Sequence, residues 1–136
     1  MKDYDFCEIS KKILDTMEEK AKAMGVVGVA VICSLEDVNS VNWITNMRVV
    51  GKYRTEPNQD NKGYNFIGVA YAKACEMMDT HQNSGSKTRP ILIGELGYKG
   101  GKIIEHEGGY VVAAFSGASS EEDFEISSTG LDVLKK

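Results

Sequence analysis

Between Phe6 and Met24 the apolar residues Phe6, Ile9, Ile13, Leu14, Met17, Ala21 and Met24 recur at steps of three and four, which puts them on one stripe of a helix. Lys11, Lys12, Glu18, Glu19, Lys20 and Lys22 fall mostly off that stripe and are expected to face water. Gly25 follows as a stop, because glycine accepts the left-handed backbone on which helices end. Val26 to Cys33 is then almost continuously apolar and rich in β-branched residues, the pattern of a strand covered on both faces. Glu36-Asp37 and Asn39-Ser40 supply turn chemistry. After them Val41, Trp43, Thr45, Met47 and Val49 alternate with Asn42, Ile44, Asn46 and Arg48. That period of two predicts a second strand with one solvated face, paired antiparallel with the first.

Lys52 to Lys62 is the one long polar segment and reads as a surface loop of the kind that carries function or moves. Tyr64 to His81 returns to helical spacing through Ile67, Tyr71, Ala74, Cys75 and Met78, and Phe66, Ala70 and Met77 widen the stripe, so this helix is expected to be largely buried. His81 to Ser86 is turn material. Ile91, Leu92 and Ile93 form a short apolar patch, either an edge strand or a packed loop. Tyr98 to Gly101 is a glycine-rich bend, and Lys102–His106 and Tyr110–Ser116 form a hairpin about Glu107-Gly108-Gly109. Ser119-x-x-Glu122 is a capping box, and Glu121, Glu122 and Asp123 suit the positive end of a third helix running through Phe124, Leu131 and Leu134.

The order α, β, β, α, loop, β, β, α implies an α+β fold: a mostly antiparallel, five-stranded, profilin-like sheet with three main helices. With no repeat or linker visible, residues 1–136 read as a single domain.

Composition narrows the function. The 136 residues are 42% hydrophobic and 26% charged, the balance of a soluble globular chain, and the net charge of -4 argues against nucleic acid. Lys11-Lys12, Lys20, Lys22 and Lys135-Lys136 make no basic patch, being interleaved with acids or placed at the chain end. No apolar run approaches the roughly 20 residues that cross a bilayer. Met1-Lys2-Asp3-Tyr4-Asp5 lacks a secretory core, so a cytoplasmic location is expected, without membrane partners. Cys7, Cys33 and Cys75 are odd in number and widely spaced, and read as reduced structural thiols.

Five stretches carry a resemblance. Ala70-Tyr71-Ala72-Lys73-Ala74, the pair Gly100-Gly101, the turn Glu107-Gly108, the exit Phe115-Ser116-Gly117-Ala118, and Glu122-Asp123 with Gly130 stand in an order similar to that of the HbpS/GlcG/PduO C-terminal family, the DUF336-type haem-degrading domains. The resemblance spans roughly residues 5 to 134. Where the family usually has a proline after its paired glycines, this chain has Lys102-Ile103. The resemblance implies a small-molecule binder, with haem or another tetrapyrrole as ligand, assembled as a homo-oligomer; Trp43 and Tyr53 near a strand edge are compatible with assembly. A haem-degrading activity is implied by the family alone, and no residue set argues for an enzyme. The alternative is an accessory or scaffolding module that acts through protein–protein contacts.

Candidate ligand-binding residues each have a plainer explanation. His81 could ligate haem or interact with the last carbonyls of its helix; His106 could ligate or be an exposed strand-end histidine. Met47, Met77 and Met78 fit core filling better than ligation. Lys73 lies in a buried-looking helix and must snorkel or meet an anion, either a ligand carboxylate or an internal partner. Gly100 and Gly101 would let a ligand approach the backbone, or simply make a turn. Glu95, Glu105 and Glu107 lack the spacing of a metal-ligand series, and Ser116 lacks a nucleophile-elbow context.

Overall fold

The computed structural model describes residues 3–36 and 42–135. In chain order these form α1 (Asp3–Met24), β1 (Gly28–Leu35), β2 (Trp43–Val50), α2 (Phe66–Thr80), β3 (Gly101–His106), β4 (Gly109–Ser116) and α3 (Ser120–Leu131), closed by a 3-10 turn over Asp132–Leu134. The expected turn residues Asp37, Asn39 and Ser40, and Val41, lie outside the described residues. α1 stops where the glycine predicts. Gly25 is left-handed (φ 72°), its N–H bonds to Lys22 O, and the Val26 N–H reaches Ala21 O, the paired bonds of a Schellman motif.

The strands form one antiparallel sheet in the order β2-β1-β4-β3. β1 and β4 are central, and helices cover both faces. On one side α1 and α3 bury Ile13, Leu14, Met17 and Ile126 against Ala30, Ile32, Ala113 and Phe115. On the other, α2 buries Ala70, Ala74 and Met77 against Val29, Val31, Val112 and Ala114. This double coverage explains the unbroken apolar run in β1, all eight residues of which are buried. Each large side chain so enclosed contributes about 1.5–3 kcal/mol.

Three expectations need correction. Among the described residues the sheet has four strands, not five. The Ile91–Ile93 patch is a loop: Glu95 accepts the Leu92 N–H on its carboxylate and donates its own N–H to Leu92 O, a turn that leaves no row of groups for β3 to pair with. The solvated side of β2 is also reversed. Asn46 and Arg48 lie against α1, where Asn46 bonds Ser10 and Arg48 bridges Asp15 and Glu18. Trp43 and Val49, on the face expected to be covered, remain half exposed, because α2 packs mainly on β1, β4 and β3 and meets β2 at Thr45, which bonds Tyr71, and at Met47. Finally, α2 begins at Phe66 rather than Tyr64. Asn65 caps it by accepting the Ile67 and Gly68 N–H groups.

Candidate functional site

Lys73 sits in the third turn of α2, pointing at the gap between the end of β4 and the start of α3. Its side chain is 3% exposed, and Nζ donates to Phe115 O at 2.7 Å and to Asp123 Oδ2 at 2.9 Å. Asp123 is delivered by the capping box, which fixes the first turn of α3: Ser119 accepts the Glu122 N–H and Glu122 accepts the Ser119 N–H. The second oxygen of Asp123 accepts the Ala118 N–H at 3.0 Å. Burial pushes the Asp123 carboxyl up to about 6 against the pull of Lys73, and burial pushes the Lys73 ammonium down. The pair is thus held together by its geometry while desolvation works against both charges.

Of the paired glycines, Gly100 makes room for this pair and Gly101 makes room for Met77. A Cβ on Gly100, whose φ is 124°, would lie 2.8 Å from Lys73 Nζ and 2.7 Å from Asp123 Cβ; one on Gly101 would lie 2.4 Å from the Met77 methyl. The Gly101 N–H is already donated to Ser84 Oγ, and Gly100 O accepts from Ser127. Gly100 also lines an open cleft of about 540 Å³ beside Lys99 and Phe124.

Above the ion pair lies a second cleft of about 450 Å³, with Lys73, Asp123 and Ser116-Gly117-Ala118 in its walls. Its other walls are Tyr64, Phe66, Val69 and Tyr98, with the polar Thr55, Ser120 and Lys99 among them. Tyr64 stacks on Phe66 with ring centroids 6.5 Å apart and planes at 13°. The polar loop after β2 shapes this wall. Thr55 N–H donates to Tyr64 O, Tyr64 N–H to Thr55 Oγ1, and Phe66 N–H to Tyr53 O, which clamps the loop onto the start of α2. A cleft with aromatic sides, in which Lys73 is taken up by Asp123 and Lys99 remains as a further cation, suits a planar molecule with an anionic edge.

The two histidines lie elsewhere and apart. His81 is the left-handed C-cap of α2 and stacks on Tyr110 at 4.3 Å. His106 follows Ile104 on the opposite face of β3, its Nε2 3.7 Å from Glu107. Of the five residues singled out in the sequence, the structure brings together Lys73 and Gly100, with Gly101 adjacent, and leaves His81 and His106 outside the cleft. The second helix and the glycine-rich bend, from which the sequence predicts a pocket, supply Phe66, Val69, Tyr98 and Lys99 to these walls; the sequence does not single out Asp123 as the Lys73 partner. The signal for Tyr98 and Lys99 is their place directly before the glycines.

Among the described residues no cluster of His, Cys, Asp and Glu could hold a metal ion, and no helix is long and apolar enough to cross a membrane. The three cysteines are unpaired.

No family model matches the chain, and no curated protein does. Solved structures do. A double mutant of HbpS from Streptomyces reticuli superposes with a TM-score of 0.65 at 20% identity, covering 95% of this chain and 86% of that one. Klebsiella pneumoniae protein ORFY, of the DUF336 group, gives 0.59 at 17% identity over 93% and 88%. PduOC, solved as a complex with heme, gives 0.61 at 15% identity over 99% and 95%. The chain therefore has the α+β fold of HbpS, ORFY and PduOC, the same group that its residues resemble.

Proposed function

We propose that this chain is a non-enzymatic small-molecule-binding protein whose ligand lies in the aromatic cleft over Lys73 and Asp123, with haem or a related tetrapyrrole as the ligand class. The observation that carries the reading is the conjunction of Tyr64, Phe66 and Tyr98 with Lys99 at one cleft. The donor set fits haem. The tyrosines offer flat apolar contact and a phenolic oxygen of the kind that serves as an axial ligand, and Lys99 offers a cation to a propionate. When bound, haem would supply redox-active iron; the chain's own residues orient the ring and exclude water from it. PduOC, of the same fold, was solved with heme. The helices on both faces of the sheet support a profilin-like description, and we place the protein, as one domain, in the cytoplasm.

The test is an optical haem titration. A saturable shift of the Soret band that weakens in Lys99→Glu, and changes position in Tyr98→Phe or Tyr64→Phe, supports this site. A shift abolished by His81→Ala or His106→Ala moves the ligand to a histidine site, and a linear, unshifted absorbance removes haem altogether.

A second reading, assembly through protein–protein contacts, is favoured by the loop after Arg89. Ile91, Leu92 and Ile93 are exposed there, Ile93 fully. Its occupant on this reading is a second copy of the chain. Light scattering showing an oligomer that Ile93→Ser dissociates supports it, and a monomer contradicts it.

A further inference from the structure

A third cleft, of about 480 Å³, opens between the last two turns of α2 and the segment from Gly85 to Ile91. Glu76 forms part of it. This side chain belongs to a residue only 4% exposed; one carboxylate oxygen accepts the Gly85 N–H at 2.7 Å, and the other, Oε1, has no hydrogen-bond partner. It is the one buried side-chain nitrogen or oxygen atom among the described residues left in that state. A buried carboxylate oxygen without a donor is costly, so such a group in a native fold calls for a partner from outside the chain.

The surroundings select the partner's chemistry. Glu76 has no cation of its own. Arg89, the guanidinium in the cleft wall, is spent on two other carboxylates, with Asp79 at 2.6 Å and Glu95 at 2.8 Å. Of the cations in the cleft wall, Arg89 is thus already neutralised and Lys87 is exposed to solvent, which leaves the Glu76 carboxylate as the wall's unpaired buried charge. Pro90 and Ile91 supply apolar contact on the outer wall, and Thr80 and Thr88 supply hydroxyls. An ammonium on a short hydrocarbon stem matches these features: N–H donors for Oε1, positive charge for the Glu76 carboxylate, methylenes for the apolar wall.

We propose that this cleft is a binding site for a small aliphatic primary amine, whose ammonium donates to Glu76 Oε1. It is separate from the aromatic cleft and stands whether or not haem binds there.

The experiment is a proton–nitrogen NMR titration with diaminobutane, and with butanediol as the uncharged analogue of the same length. The amine gives saturable shifts centred on the Gly85 and Ser86 amides, and the diol binds at least about tenfold more weakly, since it carries no charge. Glu76→Gln abolishes the amine response, because an amide N–H replaces the free acceptor; circular dichroism checks its fold. Lys87→Glu, a change at an exposed position, tightens amine binding several-fold and serves even where Glu76→Gln does not fold. Absence of saturable shifts up to about 10 mM amine, equal binding of amine and diol, undiminished binding by folded Glu76→Gln, or no tightening in Lys87→Glu overturns the proposal.

Discussion

Replacing Lys73 by methionine tests the electrostatics of the candidate site, because it removes the ammonium while keeping an unbranched chain of similar reach. Lys73 and Asp123 are 3% and 6% exposed at their side chains, so neither charge has water to fall back on. In Lys73→Met the Asp123 carboxylate keeps only the Ala118 N–H, and Phe115 O loses the Lys73 donor. Leaving one member of a buried pair uncompensated costs about 3–5 kcal/mol, a large share of the roughly 5–15 kcal/mol that holds a domain folded. The loss should depend on pH. Asp123 already sits at about 6 with the ammonium beside it, against 3.8 ordinarily, and it moves higher once the ammonium is gone. A carboxyl raised on folding holds its proton more tightly in the native state. Its penalty is therefore absent below the unfolded value and grows as pH rises through the folded one. Urea unfolding should show Lys73→Met less stable than wild type by several kcal/mol near about pH 8 and by much less near about pH 5. A deficit below about 1 kcal/mol at the higher pH, or one equal at both, would refute the reasoning.

Other consequences are independent of that pair's titration. Gly100→Ala should cost more than Gly108→Ala in the same unfolding assay. Both have positive φ, worth roughly 1–2 kcal/mol to an alanine, yet only the Gly100 methyl meets Asp123 and Lys73, while nothing lies within 4 Å at Gly108. Equal costs would mean that the glycine does not make room for the pair. The loop after Arg89 should come loose in acid. Arg89, and then the Leu92 N–H, hold Glu95 down to about 2 from 4.5, so its contribution is complete above about 4.5 and vanishes as pH falls towards about 2. Hydrogen exchange at the Leu92 amide should accelerate in that window, and a rate that tracks only the intrinsic pH dependence would contradict the bond.

What the sequence disclosed follows the range of the interactions. α1 could be read to its last residue, because its stripe and Gly25 are local, and so could the Ser119–Glu122 box. β1 showed its double burial as an unbroken apolar run. β2 misled, since its alternation is symmetrical and the covered face was decided by Asp15 and Glu18 on α1 and by α2 lying mainly over β1, β4 and β3. The absent fifth strand has a similar cause: Ile91 to Ile93 look like strand residues until Arg89 and Glu95 close them into a loop. At the site, Lys73 announced itself as a charge on an apolar helix. Its partner Asp123, 50 residues away, looked like one of three equivalent acids at a helix start. Glu76 could have been suspected for the same reason as Lys73, being one turn further along the same face of α2.

The central claim is that a flat ligand occupies the aromatic cleft, and its location can be mapped directly. Proton–nitrogen NMR of the protein titrated with zinc protoporphyrin should perturb the amides of Tyr64, Tyr98, Lys99, Gly117 and Ser120 together, saturating near about one equivalent. Shifts gathered instead around His81 and Tyr110, around His106, or scattered without saturation would contradict it.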